Sequence, residues 1–355
     1  MMDGTPLACE SMPDAWGALD RVQRLTYETV SGTGEPAVAE AIIRTPPGPA
    51  PERGWPVVAW DHGTSGIGQQ CGLTGSPEIE ANTALVIKRL NTAGFAVVAP
   101  DYLGLSPASP GPHPYLHSRS EATATIDAVR AARIAMPDLG AEWAVAGESQ
   151  GGHAALATAH QATRRAPDLD FRGTVAVSPA SNIETVFRRV RPGGRPIPLF
   201  PVGSFAAVLT GMTVGQSDVD VRDYLSPDGL RIIDAIADTC SPAWTSVVGE
   251  LTAADLVSKP LATPEFADAL RRYMKVETSG YDAPILIVHG LRDVRVPLPL
   301  TLALLAQLRR GGTRFKFRLV DASHDDLLLV KGGLDIAVTY LDTILGSSGA
   351  TELEM

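Results

Sequence analysis

Ser149 sits in "GESQG", Gly147 to Gly151, the one G-x-S-x-G of the chain, after the apolar run 143–146 and before a helix-like stretch. A serine hydroxyl is a weak nucleophile until a base takes its proton, so chemistry here needs a histidine and an acid to orient it. On a strand-turn-helix serine the expected chain order is Ser, acid, His. Asp293 in "HGLRDVRVP" and His324 in "DASHDD" supply that order, each just past an apolar strand-like run. Plainer readings exist: Asp293 could cap a helix starting near Pro297, and His324 could be a surface-loop histidine. His62 and His153 precede the position a base should take, and Asp321, Asp325 and Asp326 neighbour His324 too closely to be preferred as its orienter. Acyl transfer also needs two N–H donors for the oxyanion. Gln150, after the serine, offers one, and the loop "WDHGTSG" offers the other through Thr64, with Gly63 as alternative; His62 in that loop reads as a structural hydrogen-bonding residue.

A serine at such a turn must be carried by a buried strand and a following helix that approach too closely for side chains, hence the flanking glycines. The chain provides the setting. After a strand-like pair at 21–30 and 37–45, apolar runs at 56–62, 95–101, 143–148, 173–179, 283–290 and 315–321 alternate with helical patterns. Near-continuous hydrophobicity fits strands buried on both faces, so the fold class is α/β, a mostly parallel sheet flanked by helices. Ser76 with Pro77 opens one helix and Gly94 closes it. "SRSE" opens another with Ser118 as cap and Glu121 returning the bond, and Pro137 ends it. Others begin near Gln150, Pro297 and Gly333.

From about 181 to 280 the alternation stops and helical pattern, proline and glycine take over, which reads as a mainly helical cap inserted between two sheet strands. The core is then 1–180 and 281–355. Within the cap, "RRVRPGGR" at 188–195 reads as a solvated face, and "PLFPVGSFAAVLTGM" at 198–212 as either cap core or the wall of an acyl-chain groove.

Composition narrows the function. With 355 residues, 45% of them hydrophobic, the chain can bury a large core, and a net charge of −10 argues against binding to nucleic acid. The charge favours small or neutral partners, and the serine chemistry above makes a small-molecule ester the expected substrate. No run is long and apolar enough for a transmembrane segment, and the N-terminus lacks a basic region followed by an apolar one. The expectation is a cytoplasmic protein or a processed secreted chain; nothing fixes the oligomeric state. Three cysteines, Cys9, Cys71 and Cys240, have no metal-ligand spacing, and they leave open either buried thiols or a Cys71–Cys240 bridge.

The run "VVAPDYLGLSPASPGPHPYLHSRSEATATIDAVRAAR" at 97–133, with "DHGTSG", "GESQGG" and "HGLRDVRVP", resembles the secretory lipase family, the lipase A type of α/β-hydrolase. The resemblance spans roughly 20–345 and is strongest outside the cap. It implies an α/β-hydrolase fold and an esterase or lipase with Ser149, Asp293 and His324 as its triad. Glu148 stands where elbows of the family often carry tyrosine. The expected reaction is carboxylic ester hydrolysis through an acyl-enzyme, with no cofactor and no metal; an acyltransferase or amide hydrolase would use the same triad.

Overall fold

Alternate residues of the central strands serve two opposite cores. Val57, Ala59, Val98, Trp143 and Val145 pack into one, and Val58, Trp60, Val97, Ala144, Val175 and Val288 into the other. Runs such as "PVVAWD" therefore have no polar alternation, because both faces are covered. The computed structural model describes residues 4–12, 16–75, 77–196, 201–215 and 218–346; Ser76 and 198–200 lie outside them.

In chain order the elements are β1 (Pro6–Ser11), β2 (Gln23–Val30), β3 (Pro36–Arg44), β4 (Trp55–Asp61), α1 (Pro77–Thr92), β5 (Ala96–Pro100), α2 (Ser118–Ala135), β6 (Leu139–Glu148), α3 (Gln150–Arg165) and β7 (Asp170–Val177). Then come the inserted helices α4 (Ile183–Phe187), α5 (Val202–Gly215), α6 (Pro227–Ile236), α7 (Trp244–Val248) and α8 (Pro264–Met274). The core resumes with β8 (Ile285–Gly290), α9 (Leu298–Arg310), β9 (Phe315–Val320), α10 (His324–Leu327) and α11 (Gly333–Leu345).

Among the described residues nine strands form one sheet, ordered β1-β2-β3-β5-β4-β6-β7-β8-β9. From β5 to β9 every neighbouring pair is parallel, while β1, β2 and β3 run antiparallel to their neighbours. β1 was not expected: it is short and mostly exposed, and it joins the sheet at its edge. Residues of α1 and α11 fill the core on one face, and residues of α2 and α3 the core on the other.

The helical insertion has its own core, in which Phe205, Ile232, Trp244, Phe266 and Tyr273 meet Ile67 and Tyr115 of the sheet domain's loops. In α5, Phe205, Leu209 and Met212 are buried in that core. Arg188, Arg189, Arg191 and Arg195 are exposed.

One expectation is corrected. α2 begins at Ser118, but His117 holds the cap position and no side chain caps the helix. The Ser118 hydroxyl reaches the Lys275 carbonyl instead, at 3.2 Å. Glu121 turns into the interior, where His153 and Gln150 bring side-chain donors to it, so its carboxylate does not return to the helix start.

Candidate active site

β6 ends at Glu148 and α3 begins at Gln150, so Ser149 alone reverses the chain between them. Its φ of 58° and ψ of −114° form a conformation that L-residues rarely adopt and that persists only when the surroundings enforce it. They do so here. The Ser149 N–H donates to the Val177 carbonyl at 2.9 Å, and its own carbonyl accepts from Ala180 and His153, both at 3.1 Å. A Cβ on Gly147 would run into the Gly151 carbonyl, and one on Gly151 into that of Asp61. Both glycines of the motif are thus required by backbone packing.

His324 opens α10 just beyond β9, behind a Ser323 cap whose Oγ accepts the Asp326 N–H at 3.3 Å. Its Nδ1 donates to Asp293 Oδ2 at 2.7 Å. Asp293 lies in the turn after β8, where its Oδ1 accepts the N–H groups of Arg295 at 3.0 Å and Val296 at 2.8 Å. In α9, the helix after that turn, Pro297 holds the cap position and no side chain, Asp293 included, caps it. Burial pushes the Asp293 carboxyl up, but the His324 and Val296 hydrogen bonds outweigh it and hold the group below the usual carboxylate range. With Nδ1–H committed to an ionised carboxylate, the free valence of the neutral His324 ring is an Nε2 lone pair. His289 walls the same carboxylate at 3.7 Å; it donates from Nε2 to the Val296 carbonyl at 3.0 Å, and burial lowers its pKa.

Ser149, His324, Glu148 and Thr64 line one cavity of about 1010 Å³, with Trp60, Tyr115 and Trp244 among its walls. Pro201, Val202, Gly203 and Ser204 at the start of α5 also line it, so the apolar run of the insertion contributes both cap core and cavity wall. Neither the Thr64 nor the Gln150 backbone N–H has a hydrogen-bond partner among the described residues. The Thr64 hydroxyl shares a 2.8 Å hydrogen bond with that of Tyr115. The loop carrying Thr64 is tied to the insertion: the Ser241 N–H donates to Ser65 O at 2.8 Å, that of Ile67 to Thr239 O at 3.2 Å, and Cys71 is disulfide-bonded to Cys240.

His62 is buried, donates from Nδ1 to the Gly63 carbonyl at 2.7 Å and has its Nε2 3.8 Å from Asp101. Desolvation lowers its pKa to about 4, so the ring is neutral and serves the loop. Glu148, partly buried on the cavity wall, is desolvated enough to raise its pKa to about 7 despite the proximity of His324. Among the described residues no cluster of His, Cys, Asp or Glu could hold a metal ion, and no helix is long and apolar enough to cross a membrane.

Of the three residues singled out in the sequence, Asp293 and His324 are hydrogen-bonded and Ser149 lines the same cavity as His324, but the arrangement behind Gln150 was not foreseen. There Glu121, 32 residues before His153, accepts from His153 Nδ1 at 2.6 Å and from Gln150 Nε2 at 2.9 Å. Nothing in that spacing announces the contact.

The secretory lipase family model matches residues 73–218. Lipase A of Candida antarctica aligns with a TM-score of 0.77 at 19% identity, over 98% of this chain and 89% of that one. The rice cell wall degrading esterase LipA of Xanthomonas oryzae, in a ligand-bound form, aligns with a TM-score of 0.75 at 22% identity, over 97% and 98%. A putative hydrolase of Legionella pneumophila gives 0.74 at 18%, over 93% and 90%. No curated protein matches the chain. The family match and the shared lipase and esterase fold agree with the secretory lipase resemblance of the sequence motifs.

Proposed function

We propose that this chain is a carboxylic ester hydrolase working by two-step acyl transfer. The family match over 73–218 and the fold support ester hydrolysis. The observation that carries the mechanism is the His324–Asp293 hydrogen bond of 2.7 Å at the edge of a cavity that also exposes the strained Ser149. In the first step Ser149 Oγ bonds to the ester carbonyl carbon while its proton passes to His324 Nε2. Asp293 keeps the imidazole in the tautomer that can accept that proton and stabilises the imidazolium once formed. The oxyanion lies between the N–H groups of Thr64 and Gln150. As the ester C–O bond breaks, His324 returns the proton to the leaving alcohol. Water then attacks the acyl-enzyme by the same proton route and regenerates Ser149.

The cap contributes wall to the cavity, so it selects what enters. The Cys71–Cys240 bridge supports an oxidising compartment, and hence an exported chain rather than a cytoplasmic one. The testing experiment is hydrolysis of p-nitrophenyl esters with acyl chains from two to sixteen carbons, followed by product analysis with an added alcohol. Release of free acid by a Ser149-dependent route fits the proposal. Dominant transfer to the alcohol would make the protein an acyltransferase, and cleavage of amides with no activity on esters would make it an amide hydrolase.

A further inference from the structure

Gln150 contributes more than its N–H. Its side chain is fully buried and both Nε2 protons are committed, one to Glu121 Oε1 at 2.9 Å and one to His113 Nε2 at 2.7 Å. His113 can accept because its Nδ1 donates to the Leu103 carbonyl at 2.7 Å. The other amide atom, Oε1, is buried with no hydrogen-bond partner among the described residues, so the side chain is held by its donor end alone. Behind it, Glu121 Oε2 accepts from His153 Nδ1 at 2.6 Å, and His153 Nε2 donates to the Met274 carbonyl at 2.9 Å. With acceptors facing both ring nitrogens, the surroundings of His153 favour the doubly protonated ring. Burial alone would lower its pKa, but Glu121 and the Met274 carbonyl raise it above the ordinary value. Met274 is the last residue of α8, where the chain leaves the insertion for β8.

We infer that the buried Glu121–His153 pair is a positioning device: it links the end of the inserted helices to the Gln150 side chain and so fixes the backbone N–H that faces the oxyanion. This rests on the ester-hydrolase reading above. Stability alone does not account for the arrangement. A buried ion pair is often no better than apolar residues of the same volume, and an unpartnered Oε1 is a cost. What the pair supplies is geometry. Gln150 is the first residue of α3, so a side chain anchored at its far end restrains the first turn of the helix and with it the backbone that carries the N–H following Ser149. Glu121 and His153 touch no substrate, so their effect on turnover runs through Gln150.

The test uses Glu121→Gln, Gln150→Ala, the double variant and wild type, with p-nitrophenyl esters for kinetics and the endpoint of fluorophosphonate labelling as a count of competent nucleophile. Each single variant is expected to lower kcat about 10- to 100-fold with KM within about two-fold, because an oxyanion donor acts in the transition state and not in substrate binding. The double variant is expected to lose no more than the worse single, since both changes act through one side chain. Losses that multiply, an unchanged kcat in Gln150→Ala, or a change confined to KM would overturn the inference. If Glu121→Gln fails to fold, Gln150→Ala, which removes no buried charge, decides by itself. A wild type that takes up no label and cleaves no ester would instead contradict the underlying hydrolase reading.

Discussion

The three side chains of the proposed triad differ in how they are held, and the difference predicts how each responds to change. Asp293 is fixed by two backbone N–H groups as well as by His324, so Asp293→Asn should leave the turn in place while losing the ionised partner of Nδ1–H. We expect a fall in kcat of roughly 10³- to 10⁴-fold with little change in melting temperature, measured by steady-state kinetics beside calorimetry. Glu148 responds to pH through stability. Its pKa rises from 4.5 to about 7 in the fold, chiefly by desolvation, so the folded state keeps a proton that the unfolded chain has already lost. Stability therefore falls as pH rises from about 4.5 to about 7, and it stays at the lowered level above that. Glu148→Gln should accordingly melt higher than wild type at pH 8 and show little gain at pH 4, as read by thermal unfolding at both values. The three residues proposed as the triad stand out in the sequence because each follows an apolar run and the chain order of types is restrictive. The environment of Glu148 does not, since its neighbours His324 and Asp325 come from α10, more than a hundred residues away in the chain.

The strand-turn-helix unit from β6 to α3 leaves no room for a methyl group at its glycines. Gly151→Ala would drive a Cβ into the Asp61 carbonyl of β4, so the strand, the turn or the helix must shift. Backbone cannot yield as a flexible side chain does, and a destabilisation of several kcal/mol, on the order of the largest single-residue effects, is expected. Denaturant unfolding of the purified variant, or its absence from the soluble fraction, checks this. The element was readable from sequence because a G-x-S-x-G after an apolar strand has few other uses. The start of α2 was not. Ser118 and Glu121 have the spacing of a reciprocal cap, yet Glu121 faces His153 and Gln150 in the interior, and only the packing of α2 against α3 reveals those donors. β1 escaped notice for a different reason: six residues, mostly exposed, at a sheet edge carry neither a buried run nor a clean alternation.

The fold as a sheet with an inserted group of helices followed from the order of apolar runs, but the way the insertion meets the sheet domain did not. The bridge between Cys71 and Cys240 spans 169 residues of sequence and fastens the loop of Thr64 to the segment before α7, which also lines the cavity through Ser241. Closing so long a loop restricts the unfolded chain strongly. By the chain-entropy relation its loss costs up to about 5 kcal/mol, with about 2–5 kcal/mol usual for native bridges. Cys71→Ser with Cys240→Ser, or a dithiol reductant, should therefore lower the melting temperature and reduce kcat through the loosened Thr64 loop; a melting temperature and kcat that ignore the reductant would contradict this. The cysteine spacing allowed the bridge without requiring it, because pairing depends on where the insertion lies. The claim on which all of this rests is that Ser149 is the nucleophile, and the most direct measurement is kcat/KM of Ser149→Ala beside wild type on the best p-nitrophenyl ester. The account predicts a loss of several orders of magnitude, on the order of 10⁴-fold or more, in a variant whose unfolding curve matches wild type. A folded Ser149→Ala that retains near wild-type turnover would contradict it.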